Sequence, residues 1–582
     1  MRSISVFCLL VLLGICCTTF GAVPTDASDS RELLDRGVVA RPTADGKVYV
    51  GWRLLESDPD ALAFNVYRRT GDAAAVKLNT RPIQRTTDFL DDAAEKGKEH
   101  AWFVRPVVAE LLGPPSREAK AVADGKDPGY ISIPLQGDYT FQKVGIADLD
   151  DDRRYDFVIK QPNANIDPWY KYWKPAQETY KLEAYRHDGK FLWRHDLGWA
   201  IERGIWYSPY VVYDLDGDGK AEVAVKTGEG DPRDPDGKVT SGPEYLTILD
   251  GQTGRPITRV DWPSREGFKD PHAYNYFCRN QLGVAYLDGK TPSLIVERGT
   301  YNIIKVVAYQ LRGGKLHPQW RWDNTDEDRK YWGQGAHWMH AADVDGDGRD
   351  EVLLGSAVLD HDGKALWSTG LGHPDHCYVG DIDPGRPGLE IYYGIEPGQA
   401  KNTMCLVDAK TGRILWGHQE PTRHIHSSGL CSDIDPAQPG SECYSGERDF
   451  KDQRWLRDCQ GRVLSTDDLG GLAPRAAYWD ADPQRELLIG GRILNYGESR
   501  DRSLPPKVEG HIAAVADVLG DWREEVITSV PGELRIYTTT IPATDRRACL
   551  MQDPIYRIDV VCAAMGYFQV PMTSYDLATG GK

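Results

Sequence analysis

Asp214, Asp216 and Asp218 alternate with Leu215 and Gly217, and Glu222 follows eight residues after the first of them. Hard carboxylate oxygens at this spacing, with glycines at the bends, suit a divalent cation such as Ca²⁺. An EF-hand does not fit, because the next residues, Val223, Ala224 and Val225, read as a β-strand rather than a helix. Two further copies are as complete: Asp148, Asp150, Asp152 with Asp156, and Asp343, Asp345, Asp347 with Glu351. Shorter copies begin at Asp381 with Asp383 and at Asp433 with Asp435, and partial ones at Asp288, Asp480 and Asp517. A second chemistry sits just upstream of several of these loops. His337 and His340 precede the loop at Asp343, Arg423, His424 and His426 precede Asp433, and Lys507 and His511 precede Asp517. Imidazoles titrate near neutrality and can act as a general base, and the Arg and Lys can face an anion.

Eight loop starts, at 148, 214, 288, 343, 381, 433, 480 and 517, recur about every 53 residues, close to the length of a four-stranded propeller blade. Most loops are followed by a short apolar strand and then a DG or TG hairpin turn, as in LDGQTGR and VDAKTGRILW. The expected fold is therefore all-β: an eight-bladed β-propeller over residues 126–582, with the chemistry in loops around its axis. Residues 37–125 carry alternating runs such as KVYVGWRL and HAWFVRPVV, expected to form a small fibronectin-like β-sandwich. Residues 161–181 and 262–287 break the repeat with aromatic insertions, and Trp169, Tyr170 and Trp173 are of a type that stacks on sugars.

Residues 1–22 have a secretory signal pattern and 23–36 a polar linker, so the chain is expected to be secreted or periplasmic. No later segment is apolar enough to span a membrane as a helix. The net charge of −18 argues against nucleic acid as a partner. Eight cysteines lie beyond the signal, either as disulfides, for which Cys431–Cys443 and Cys405–Cys459 are candidates, or as buried thiols.

The runs FNVYR, VVYDLDGDGKAEVAVKT, GPEYLTILDGQTG, ADVDGDGRDE, STGLGH, DIDPGRPGLE and LRIYTTTIP resemble the rhamnogalacturonan lyases of polysaccharide lyase family 11. The resemblance implies an eight-bladed propeller with several Ca²⁺ ions. It also implies β-elimination at the rhamnose–galacturonate bond of rhamnogalacturonan-I, an acidic plant cell-wall polysaccharide. It places substrate contacts at Asn165 and Glu183 and a catalytic role at Tyr567. Two family positions differ: Ser428 stands where the family has a catalytic Arg, and the catalytic Lys is replaced by LPPKVEGH, with Lys507 two positions off register. Catalysis is therefore expected from His424, His426, Lys507 and Tyr567. Arg423, His337, His340 and His511 join Asn165 and Glu183 in substrate binding. A lyase for another rhamnose- or uronate-containing glycan, and a non-catalytic calcium-dependent carbohydrate-binding propeller, are the alternative readings.

Overall fold

A computed structural model describes residues 32–269 and 272–580. The expected signal segment and residues 23–31 of the linker lie outside the described residues. The N-terminal domain is a β-sandwich. One sheet contains Val39–Pro42, Val48–Gly51 and Asp88–Asp91, and the other is built on Ala63–Thr70 and Glu99–Val108. Alternation puts Val48, Val50, Phe64, Val66, Trp102 and Val104 between the sheets, all fully buried.

Eight antiparallel sheets follow among the described residues, seven of four strands and one of three. Their first strands are Lys143–Ala147, Tyr210–Tyr213, Asn280–Ala285, Gly335–Ala342, Pro374–Gly380, Leu430–Ser432, Ala476–Ala477 and His511–Ala516. The first and second strands are almost wholly buried on both faces, which is why they read as continuous apolar runs. The eighth sheet takes its fourth strand, Tyr130–Pro134, from the beginning of the repeat region, in register with Glu533–Tyr537. This pairing ties the two ends of the repeat region together.

Neighbouring sheets are pinned by one recurring contact. A Trp on the outermost strand donates its indole N–H to a carbonyl in the last hairpin of the next sheet: Trp193 to Gly251, Trp320 to His361, Trp367 to Ala409 and Trp416 to Cys459. The indole of Trp193 also lies against Gly254, at φ +67°, where a Cβ would come within 2.6 Å of the ring. Only glycine tolerates both that conformation and that approach, so the TG turns seen in the sequence join sheets as well as strands.

The C-terminal helix Pro554–Cys562 packs on the first strands of the first, second, third, fourth and eighth sheets. Asp553 caps it through the Tyr556 N–H, and Pro554 opens it. Arg557, buried inside, pairs with Glu32. All eight cysteines between 278 and 562 are buried thiols, and Cys431 and Cys443 face each other across paired strands with sulfurs 3.9 Å apart. No helix among the described residues is long and apolar enough to cross a membrane.

Candidate active site

The first strand of each sheet has two ends with different chemistry. The loop after it carries the Asp repeat. The residues at or just before its start form the other rim of the molecule.

At the Asp end, the first carboxylate of a loop is consumed by the backbone. Asp214 accepts the N–H groups of Gly217, Asp218 and Gly219, and Asp343 those of Gly346, Asp347 and Gly348. The closing acid returns one oxygen to the loop. Glu222 accepts from Leu215, Glu351 from Val344, Glu442 from Ile434 and Asp156 from Leu149. The remaining oxygens converge, with one from each of Asp148, Asp150 and Asp156, and of Asp214, Asp216 and Asp218, clustering within 4.8 Å. Buried oxygens of Asp150, Glu351, Asp381, Asp433 and Glu442 have no partner among the described residues. Burial and adjoining carboxylates push Glu222 up to about 9 and Glu351 and Glu442 up to about 8. Unshared carboxylate oxygens of this kind fit a hard cation. Four expected ligands already have protein partners. Arg117 reaches Asp152, the Asp576 N–H reaches Asp381, the Gly385 N–H donates to Asp383 and Gln484 bonds Asp433. Asp345 and Asp347 stay in their exposed loop, and Asp435 accepts from Ala437.

The other rim holds a cleft of about 810 Å³. His337 lies inside the first strand of the fourth sheet, and Asp375 inside that of the fifth, with His373 just ahead of it. Glu396 follows the second strand of the fifth sheet, and His424 and His426 come from the loop before the sixth. Asp375 is buried at their centre. Its Oδ2 accepts from His426 Nδ1 at 2.8 Å and from the Ser427 N–H at 2.6 Å. Its Oδ1 stands 3.4 Å from both His337 Nε2 and His373 Nε2. His424 Nε2 meets Glu396 Oε1 at 3.1 Å and His426 Nδ1 at 3.3 Å.

The hydrogen bonding at His373 fixes its tautomer. Its Nδ1 donates to the Gly335 carbonyl, which leaves Nε2 as a lone pair. That lone pair faces Asp375 Oδ1, another acceptor, and neither atom has a hydrogen-bond partner among the described residues. Two buried acceptors facing each other need a proton or a cation between them. Burial opposes charge on Asp375, yet the imidazoles of His373, His426 and His337 around it hold its carboxyl well below the usual carboxylate range. Burial and the facing His373 push His337 well down.

The opposite wall carries Arg279, stacked between Trp206 and Tyr301 at 4.8 and 5.3 Å. Asp167 and Asn275 hold its Nη2, while its Nη1 has no partner among the described residues. Tyr567 packs on His337 and Trp206, and burial raises its phenol far above the usual range. Trp169, Lys171 and Tyr172, from the insertion between the second and third strands of the first sheet, line the mouth, with Arg448 facing them.

Of the expected residues, the structure thus brings His337, His424, His426 and Tyr567 into one cleft. The others lie elsewhere. His340 is buried between Asp559 and the Cys377 carbonyl, because alternation along its strand points it away from His337's surroundings. Glu183 is mid-sheet, its oxygens taken by Tyr139, Tyr185, Gln161 and Arg194. Despite burial, those bonds hold it below its ordinary range, so it is a satisfied carboxylate. Asn165 spends its carbonyl oxygen on the Ile205 N–H. Arg423 is exposed and lies over Phe450. Lys507 is 70% exposed beside Glu509, and His511 meets the Gln142 carbonyl. His373, Asp375, Glu396, Arg279 and Arg448 were not expected. The one available signal was position: HPDH stands at the start of a first strand, as GAH does one sheet earlier.

Two family profiles match the chain: the C-terminal domain of rhamnogalacturonan lyase family 11 over 134–582 and the β-sheet domain of rhamnogalacturonan I lyases over 29–122. Rhamnogalacturonan endolyase YesW of Bacillus subtilis (strain 168) is 37% identical over 625 residues, covering 100% of this chain and 96% of that protein. Rhamnogalacturonan exolyase YesX of the same organism is 35% identical, over 95% and 96%. The crystal structure of YesW superposes with a TM-score of 0.84 over 95% of this chain and 98% of that one, at 36% identity. A Bacillus licheniformis rhamnogalacturonan lyase superposes at 0.85 with the same coverage, at 35% identity. This chain belongs to rhamnogalacturonan lyase family 11.

Proposed function

We propose that the protein is an exported lyase that cleaves the rhamnose–galacturonate bonds of rhamnogalacturonan-I by β-elimination. The eight sheets are read as blades of a propeller whose His-bearing rim is the active face. The strand exchanged between the two ends of the repeat region supports that closure. The observation that carries the catalytic reading is the pair of facing acceptors, His373 Nε2 and Asp375 Oδ1, in a cleft that also holds a His pair and a partly unpartnered Arg.

The chemistry sets the requirements. Abstraction of the proton at C5 of a 4-linked uronate builds negative charge on its carboxylate. The C4–O bond then breaks, a C4–C5 double bond forms, and the rhamnose oxygen takes a proton. His426, backed by Asp375, is assigned as the base at C5. The Asp375 contact raises the His426 imidazole against the effect of burial. His424 and Glu396 hold it in place. Tyr567 keeps its proton and is assigned to the leaving oxygen. Arg279 Nη1 faces the developing carboxylate charge.

His337, His373, Asp375 and Glu396 would hold a divalent cation, whose charge would stabilise the same carboxylate. The Asp loops are assigned to Ca²⁺, which favours oxygen ligands and stiffens the turns. The test is incubation with rhamnogalacturonan-I, reading the ultraviolet absorbance of the conjugated product. Growth of absorbance is expected, and binding without it would favour a carbohydrate-binding module. Ser428 and the outlying Lys507 favour one second reading, a lyase of this scaffold for a different uronate-containing glycan.

A further inference from the structure

Asp375 and His376 are neighbours on the first strand of the fifth sheet, yet they serve different parts of the molecule. The register with the second strand slips between Pro374 and His376, so Asp375 is the extra residue of a β-bulge. Asp375 lines the cleft. His376 does not, and lies fully buried against the segment that leads into the sixth sheet.

His376 occupies a slot cut for it. A Cβ on Gly394, its partner in register, would stand 1.9 Å from the ring, and one on Gly429 2.8 Å. Its Nδ1 lies 2.8 Å from the Ser427 carbonyl oxygen, which can only accept, so Nδ1 carries the proton. Nε2 is then a lone pair, and it has no partner among the described residues. Packing alone does not account for this choice, because an apolar side chain would fill the slot without stranding a buried acceptor.

The segment it holds carries the assigned base. Ser427 follows His426 and has φ +71°, in the left-handed region that serine rarely adopts. Both peptide units around its Cα are held from the fifth sheet. Its N–H donates to Asp375 Oδ2 at 2.6 Å, and its carbonyl accepts from His376. The Tyr378 hydroxyl, two residues along the same strand, donates to the Ser428 carbonyl at 3.0 Å. At the other end of the segment, buried Glu447 takes the Arg423 N–H and, at 2.8 Å, the His424 N–H. Between these two clamps stand His424 and His426, both lining the cleft. Backbone strain persists where its surroundings over-determine it, and it gathers at functional sites.

We propose that His376, seconded by Tyr378, is a positioning residue for elimination. It fixes the Ser427 backbone in its left-handed turn, which keeps the Ser427 N–H and His426 Nδ1 on the same Asp375 oxygen. The effect on turnover rests on the lyase reading above, while the clamp rests on its own hydrogen bonds.

The test compares His376→Leu with His376→Asn on rhamnogalacturonan-I. Leu approaches the bulk of the ring but cannot donate, whereas Asn is smaller and places an amide N–H near the position of Nδ1. His376→Leu should lose about 100-fold in kcat with KM within about twofold, and His376→Asn should stay within about tenfold of wild type. A packing role predicts the reverse order, since Asn leaves the larger void. Activity in His376→Leu equal to or above that in His376→Asn would overturn the proposal. Should His376→Leu fail to fold, Tyr378→Phe decides: loss of that one hydroxyl should lower kcat about 3–10-fold at unchanged KM. Wild-type kcat there would overturn the proposal as well. Deuterium uptake by the peptide around Ser427 separates the clamp from the lyase reading. It should quicken in His376→Leu and return toward the wild-type rate in His376→Asn. If that order is seen without any elimination, the lyase reading falls and the clamp stands. Equal uptake in all three proteins would sink the clamp.

Discussion

The two ends of the first strands contrast in how they are made. At one end, each loop is a local repeat: an Asp binds the backbone of its own loop, and the closing acid returns within about ten residues, as in Asp214 to Glu222. At the other end nothing repeats. His337, Asp375 and His426 come from three sheets and meet only because the sheets stand side by side. A second cavity, of about 340 Å³, opens toward the Asp end between the C-terminal helix and the loop at Asp343, yet its buried cation Arg557 is already paired with Glu32. On the function proposed above, the contrast assigns stiffness to the acidic end and chemistry to the His rim. Both ends leave buried acceptors without partners, but those of an Asp loop come from one stretch of chain and those of the rim from several sheets.

Four experiments press on that division, in order of expected effect. His373→Ala removes one of the two facing acceptors without touching any Asp loop. Initial rates on rhamnogalacturonan-I should fall about a thousandfold while the melting temperature holds. Equal losses of rate and stability would erase the distinction. Chelation should act on both ends at once. The melting temperature should drop by about 5 °C or more in a thermal scan and recover on adding Ca²⁺. An unchanged transition would mean that the loops hold no ion. His340→Ala probes a histidine on the rim strand that faces away from the cleft. Stranding Asp559 should cost about 3 kcal/mol in denaturant unfolding, with KM unaltered. A changed KM would bring His340 back into the site. Lys507→Ala should be the mildest, with turnover and stability within about 0.5 kcal/mol of wild type, because its side chain is 70% exposed. A large rate loss there would shift the centre of the site toward the eighth sheet.

The same contrast explains what could be read from residues alone. The Asp loops, the hairpin glycines and the count of eight are local patterns, and the sheets begin where those patterns put them. Histidines ahead of the loops are legible as a class, and three of the five expected, His337, His424 and His426, are in the cleft. Nearness in sequence is not nearness in space on a strand. His337 and His340 are three residues apart on one strand and so cannot share a face. His373 and Asp375 escaped notice because HPDH lacks any repeat of its own, and Arg279 because it sits at the end of an irregular insertion. Glu183 is of a type that could meet substrate, but Gln161 and Arg194 on the flanking strands, Tyr185 on its own strand and Tyr139 in the loop before the sheet already hold it. Pairing across a sheet is not written in any one stretch.

The central claim is that elimination is carried out at the His rim and not at the acidic loops. The direct measurement compares Asp375→Asn with Asp214→Asn on rhamnogalacturonan-I, both verified as folded, following the absorbance of the unsaturated product. The account predicts near-complete loss in the first and turnover within a few-fold of wild type in the second. Retained activity in Asp375→Asn, or equal loss in both, would contradict it.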